Sequence, residues 1–86
     1  MCLAVPMQVI QVDTYSVRCI ARGVEREASL FLFQHEAVNV GDHVLIHMGQ
    51  VIEKITESEA AASWAAYDEI FAAEADLMAN PPRPGV

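Results

Sequence analysis

Basic side chains are scarce in this chain: five Lys and Arg stand against twelve Asp and Glu among 86 residues, giving a formal net charge of −7 and a pI near 4.6. Nucleic-acid binding needs Lys and Arg clustered against phosphates, and here Arg18, Arg22 and Arg26 are interleaved with acids. An anionic membrane surface is disfavoured on the same ground. Long apolar runs are lacking too. Leu30-Phe31-Leu32-Phe33 falls far short of the roughly 20 residues that cross a bilayer. Cysteine is limited to Cys2 and Cys19, and no charged or apolar leader precedes Cys2. The expectation is a cytoplasmic chain with two reduced thiols rather than one bridge. There is no CxxC, no HExxH and no Gly-rich phosphate loop, and Ser16, Ser29, Ser58 and Ser63 sit in no nucleophile-elbow sequence. A closed metal cage and a self-contained active site are therefore not expected, and the chain does not read as an enzyme.

What is present is a 53% hydrophobic composition at 9.4 kDa, enough for the core of one small domain. A domain of this size buries only about 60 to 65% of its unfolded surface, so stabilisation by a partner is expected to matter. Gln8, Ile10 and Val12 alternate with Met7, Val9 and Gln11 in a period-two pattern that predicts a half-buried strand, and Asp13-Thr14 marks a turn. Val17 to Arg22 alternates again and ends at Gly23, a residue free to take positive φ. The alternation from Val24 to Phe33 extends the antiparallel sheet and puts Phe31 and Phe33 on its outer side, where the C-terminal helix would cover them. Gly41-Asp42 turns the chain into Val44 to Met48, and Gly49-Gln50 leads into Val51 to Ile55. Five short strands at this spacing predict a mainly β fold, a small OB-like barrel over residues 1–55.

At Thr56 the period changes to that of a helix over residues 56–79, packed on the barrel. Thr56 and Glu59 have the spacing of a capping box, and Glu57 and Glu59 oppose the positive end of the helix dipole. Ala60, Trp64, Tyr67, Phe71 and Met78 form a stripe on one face, read first as core packing. Glu57, Glu59, Glu69 and Glu74 read as a solvated face. Asn80-Pro81-Pro82 ends the helix, and residues 80–86 read as a disordered tail.

Three residues stand out chemically. Removal of the initiator Met would leave Cys2 with a thiol and a free α-amine, able to close a five-membered chelate around a soft metal; an inert terminal cysteine is the plainer reading. Pro6 fixes φ and pushes Val5 toward extended geometry, so residues 2–5 read either as a separate mobile arm or simply as the lead into the first strand. His47 lies across its strand from Val44, Ile46 and Met48, and a strand histidine is more often a hydrogen-bonded structural residue than a ligand. His35 and His43 read as solvated.

Met1-Cys2-Leu3-Ala4-Val5-Pro6, followed by Gln8-Val9-Ile10, resembles the signature of the HypC/HupF family of hydrogenase maturation chaperones. The likeness continues through Gly23-Val24-Glu25-Arg26-Glu27-Ala28, through Gly41 to Gly49, and into Thr56-Glu57-Ser58-Glu59-Ala60, covering about the first 75 residues. The resemblance implies an OB-like barrel with a C-terminal helix that serves assembly of the NiFe-hydrogenase active site. It implies that Cys2, with His47 alongside, transiently holds the Fe(CN)2CO iron fragment. It implies that the arm of Cys2, Leu3, Ala4, Val5 and Pro6 meets the partners, a HypD-type iron–sulfur maturation protein and the hydrogenase large-subunit precursor. The chain departs from the family at Gly49-Gln50-Val51, where an aromatic residue and Ala commonly follow the glycine, and in its Pro82-Arg83-Pro84 tail.

Two other classes compete. An OB-type oligonucleotide binder would offer Tyr15, Phe31 and Phe33 for stacking, but without the basic groove that goes with them. A small OB-type adaptor module would make no use of metal-fragment transfer, and Cys2 would be incidental to it.

Overall fold

The computed structural model describes residues 4–79 of the chain. Five strands, β1 (Val5–Val12), β2 (Ser16–Ala21), β3 (Val24–Ser29), β4 (His43–His47) and β5 (Gln50–Ile55), precede one helix, α1 (Glu57–Ala79). The strands close in the order β1-β2-β3-β5-β4, the OB-like barrel expected from the strand spacing. Inward-facing Val9, Val17, Cys19, Val44 and Val51 are almost wholly buried, joined by Met7, Ala28, Phe33 and Ile46. β-branched side chains fill this narrow interior well because their χ1 is already restricted.

Two turns of the same kind shape one end of the barrel. Arg22-Gly23 (φ 53° and 77°) joins Ala21 to Val24, and Met48-Gly49 (φ 53° and 77°) joins His47 to Gln50. Positive φ at both central residues marks type I′ geometry, whose twist matches that of the flanking strands. The second turn falls one residue earlier than the Gly49-Gln50 expectation. Met48 is therefore in a turn and exposed, not on the inner face with Val44 and Ile46.

The expected strand from Val24 to Phe33 stops at Ser29. The Ser29 Oγ accepts a hydrogen bond from the Phe31 N–H at 3.1 Å, and the Phe33 N–H reaches the Leu30 carbonyl at 2.9 Å, so the chain turns and the period-two pattern ends. The two phenylalanines consequently part company: Phe33 enters the core at 4% exposure, whereas Phe31 is 73% exposed. Neither lies under the helix. The loop after Phe33 is tied back to the barrel by Lys54, which meets Asp42 at 3.2 Å, Glu36 at 3.8 Å and the Ala37 carbonyl at 3.2 Å. Gly41 and Asp42 then hydrogen-bond Val9 of β1 at 2.8 Å each way.

The start of α1 carries the capping box: the Glu59 N–H donates to Thr56 Oγ1 at 3.1 Å and the Thr56 N–H to Glu59 Oε1 at 3.2 Å. Its first three turns lie against β1 and β4, with Ala60 buried and Trp64 and Tyr67 half-buried. Beyond them Phe71 stays 54% exposed, and the helix runs on past the end of the barrel, leaving Met78 79% exposed. The aromatic stripe is real, but only its first half finds a surface to cover. The expected tail, residues 80–86, lies outside the described residues.

Candidate functional site

The site forms where β1 begins. Val5 pairs with Ile46 and Pro6 with Leu45, so the barrel ladder already includes both residues. The separate arm expected over residues 2–5 is thus corrected at Val5, and Cys2 and Leu3 lie outside the described residues. Pro6 is accommodated because backbone groups alternate sides along a strand. The Val9 N–H faces the β4 side, where it meets the Asp42 carbonyl, so Val5 and Met7 share that orientation and Pro6 faces the other way. Its missing N–H removes no bond to β4.

The carbonyls of Ala4 and Pro6 face the β2 side, but β2 pairing ends at Gln8↔Ile20. Side chains of α1 take over. Tyr67 donates its hydroxyl to the Ala4 carbonyl at 2.8 Å, and Trp64 donates Nε1–H to the Pro6 carbonyl at 3.1 Å. A spacing of three residues on the helix matches two on the strand, so α1 serves the start of β1 in place of a neighbouring strand. Arg22 clamps this arrangement: its guanidinium lies 4.8 Å from the Trp64 ring centroid and meets both carboxylate oxygens of Asp68, at 2.9 and 2.8 Å. The pairing holds the Asp68 carboxyl below its ordinary range and raises the Arg22 guanidinium.

Beside the start of β1 opens a groove of about 610 Å³, walled by Val5, Met7, Val24, Ile46, Met48 and Phe71. Arg22, Arg26 and Glu27 stand on its rim. Such an opening, mostly apolar with a few charged groups at its edge, suits a ligand or peptide side chain.

His47 is the last residue of β4, half-buried, on the outer side with His43 and Leu45. It pairs across the hairpin with Gln50, whose Oε1 is buried without a hydrogen-bond partner among the described residues. Continued by one residue, the β1–β4 register sets Ala4 opposite His47. Cys19 is placed far from any such role: it is fully buried in the core, and burial pushes its thiol up to about 11. His35 is exposed and packs edge-on against Phe33 with ring centroids 4.5 Å apart. Among the described residues no three His, Cys, Asp or Glu side chains gather into a metal-binding group. Sequence reasoning missed the donor roles of Trp64 and Tyr67, because their acceptors are backbone carbonyls with no residue signature.

A small closed barrel with a helix braced against its first strand, and a groove beside the start of that strand, defines a fold of the OB-like class. The HupF/HypC family matches residues 1–67, and the chain belongs to that family. It is 44% identical over 72 residues to the hydrogenase maturation factor HypC of Helicobacter hepaticus, covering 83% of each chain. It is 37% identical over 73 residues to the hydrogenase expression/formation protein HupF of Bradyrhizobium diazoefficiens, covering 85% of this chain and 72% of that one. Over 83 residues it is 30% identical to HypC of Escherichia coli, with 92% of each chain covered.

Proposed function

We propose that the protein is a hydrogenase maturation chaperone that carries the Fe(CN)2CO fragment on Cys2, with His47 assisting, and delivers it to the NiFe-hydrogenase large-subunit precursor. Family membership and the names of the relatives support the maturation role. The observation that carries the finer reading is the register of β1 against β4. Ala4 falls opposite His47, and Cys2 is two residues upstream, within about 7 Å of extended chain. The chemistry agrees: a thiolate is a soft donor suited to low-spin iron, and a site with few protein ligands can release what it holds.

In this reading the fragment is cargo, accepted in the cytoplasm from a HypD-type iron–sulfur partner and passed on, and the protein is a carrier rather than a catalyst. The first strand and its bracing helix present the chain start, while the partner supplies the remaining walls around the metal.

The test is infrared spectroscopy with iron analysis on the full chain purified from hydrogenase-producing cells. Cyanide and carbonyl stretching bands are expected in the wild type, absent from Cys2→Ala, and weakened but present in His47→Ala. Equal bands in wild type and Cys2→Ala would overturn the proposal.

A further inference from the structure

The barrel closes on a single bridge between β3 and β5, Ser29↔Gln50. The Ser29 N–H donates to the Gly49 carbonyl at 2.8 Å, and this fixes which backbone groups of β3 face that side. Because N–H and C=O groups alternate sides along a strand, those of Glu25 and Glu27 face it as well, while Val24, Arg26 and Ala28 face β2. The Ala21↔Val24 pair flanking the two-residue turn requires the same assignment. From Val24 to Ala28, then, β3 presents a strand edge that pairs with no strand among the described residues, and the apolar groove runs beside it.

We infer that this edge receives an extended segment of a partner protein, added to β3 as a further strand, with alternating apolar and basic side chains. The groove walls Val24, Ile46 and Met48 would take the apolar side chains. Alternating with Val24 and Arg26 along β3, Glu25 and Glu27 are exposed, Glu27 at the groove's edge, and Glu27 has no ion-pair partner among the described residues. A strand laid beside them gains favourable cross-strand pairs from Lys or Arg and is repelled by Asp or Glu. The surplus of acids over the whole chain, −7 at neutral pH, steers in the same direction.

Arg26 is the guard of this edge. Its Nη1 donates to the Glu25 carbonyl at 2.8 Å, so one of the acceptors that an added strand would use is occupied by a charged side chain of the same strand. Charged residues on open edges discourage indiscriminate pairing. A partner strand displaces the guanidinium, and only one that offsets the lost bond binds. The inference concerns a protein–protein surface and is independent of the iron chemistry, so it can fail while the carrier reading stands, and the reverse.

The test uses the full chain, a panel of short synthetic peptides alternating Val, Ile or Leu with Lys or Arg, and amide hydrogen exchange by NMR. Saturable binding with new protection at the Glu25 and Glu27 amides is expected. Methylation of the peptide nitrogens that face β3 should abolish it. Replacing Glu25 and Glu27 together by Gln should weaken it about three- to tenfold, with the fold intact by circular dichroism. Arg26→Ala should tighten it. Absence of binding at millimolar peptide, binding that leaves both amides unprotected, or amides already protected in the free chain by its own terminal segments would each overturn the inference.

Discussion

The Nε1–H of Trp64 donates to the carbonyl of Pro6 across 58 residues of sequence, and Tyr67 repeats the arrangement one helical turn later on Ala4. The start of the first strand is therefore held on one side by β4 and on the other by two aromatic donors rather than by a strand. Trp64→Phe keeps the ring under Arg22 but removes the donor, and should cost about 1 kcal/mol in urea unfolding. Tyr67→Phe should cost a similar amount, about 1 kcal/mol, and the pair should combine non-additively, since both hold the same segment. The specific signature is faster amide exchange at Val5 and Met7 relative to the rest of the barrel.

Asp42 gives the fold an acid-sensitive tie. Its carboxylate accepts the Asn39 N–H at 2.8 Å and meets Lys54 at 3.2 Å, and these partners hold the carboxyl below its ordinary value. A depressed folded-state pKa stabilises the fold fully above the unfolded value of about 3.9 and loses that contribution as pH falls through the folded value. Asp42→Asn should lower stability at pH 7, and the gap from wild type should narrow steadily below about pH 4. A gap that stayed constant from pH 7 to pH 2 would exclude this account.

Cys19 acts in the alkaline direction. Its thiol, pushed up to about 11 by burial, stays protonated in the fold where an unfolded cysteine near 8.5 would ionise. The unfolded state then binds fewer protons, so stability declines as pH rises from about 8.5 towards 11. Cys19→Ala should flatten that decline, although truncating a fully buried side chain lowers stability at neutral pH. Native-state alkylation at Cys19 should proceed only through opening of the barrel, at a rate that follows global stability.

Much of the fold was legible because the sequence carries its own punctuation. Gly23 marked the β2–β3 turn and Thr56 with Glu59 marked the helix start, each through a local backbone requirement. The misplacements share a cause. Met48 adopts a left-handed conformation that its side chain gives no hint of, and Ser29 ends β3 through a hydroxyl bond inside a run whose alternation continues on paper. The site was less legible. His47 could be singled out as a strand histidine, but its neighbour across the register is set by the β1–β4 pairing, a contact between segments about forty residues apart. The periodicity of α1 likewise showed which residues share a face without showing that the barrel ends before Leu77 and Met78.

That division along α1 has a measurable consequence. The helix is about 34 Å long at 1.5 Å per residue, yet the side chains that meet the barrel, from Ala60 to Phe71, lie in its N-terminal part. Thr56→Ala removes the acceptor for the Glu59 N–H where the helix is anchored and should cost about 1 kcal/mol. Leu77→Ala and Met78→Ala remove side chains that are 55% and 79% exposed. Each should change stability by less than about 0.5 kcal/mol. If the distal half only extends the helix into solvent, its amides should exchange orders of magnitude faster than those near Ala60, and denaturant midpoints should be indifferent to both distal substitutions. A large loss from Leu77→Ala in the isolated protein would mean that the distal turns are covered, and the projecting helix would have to be redrawn.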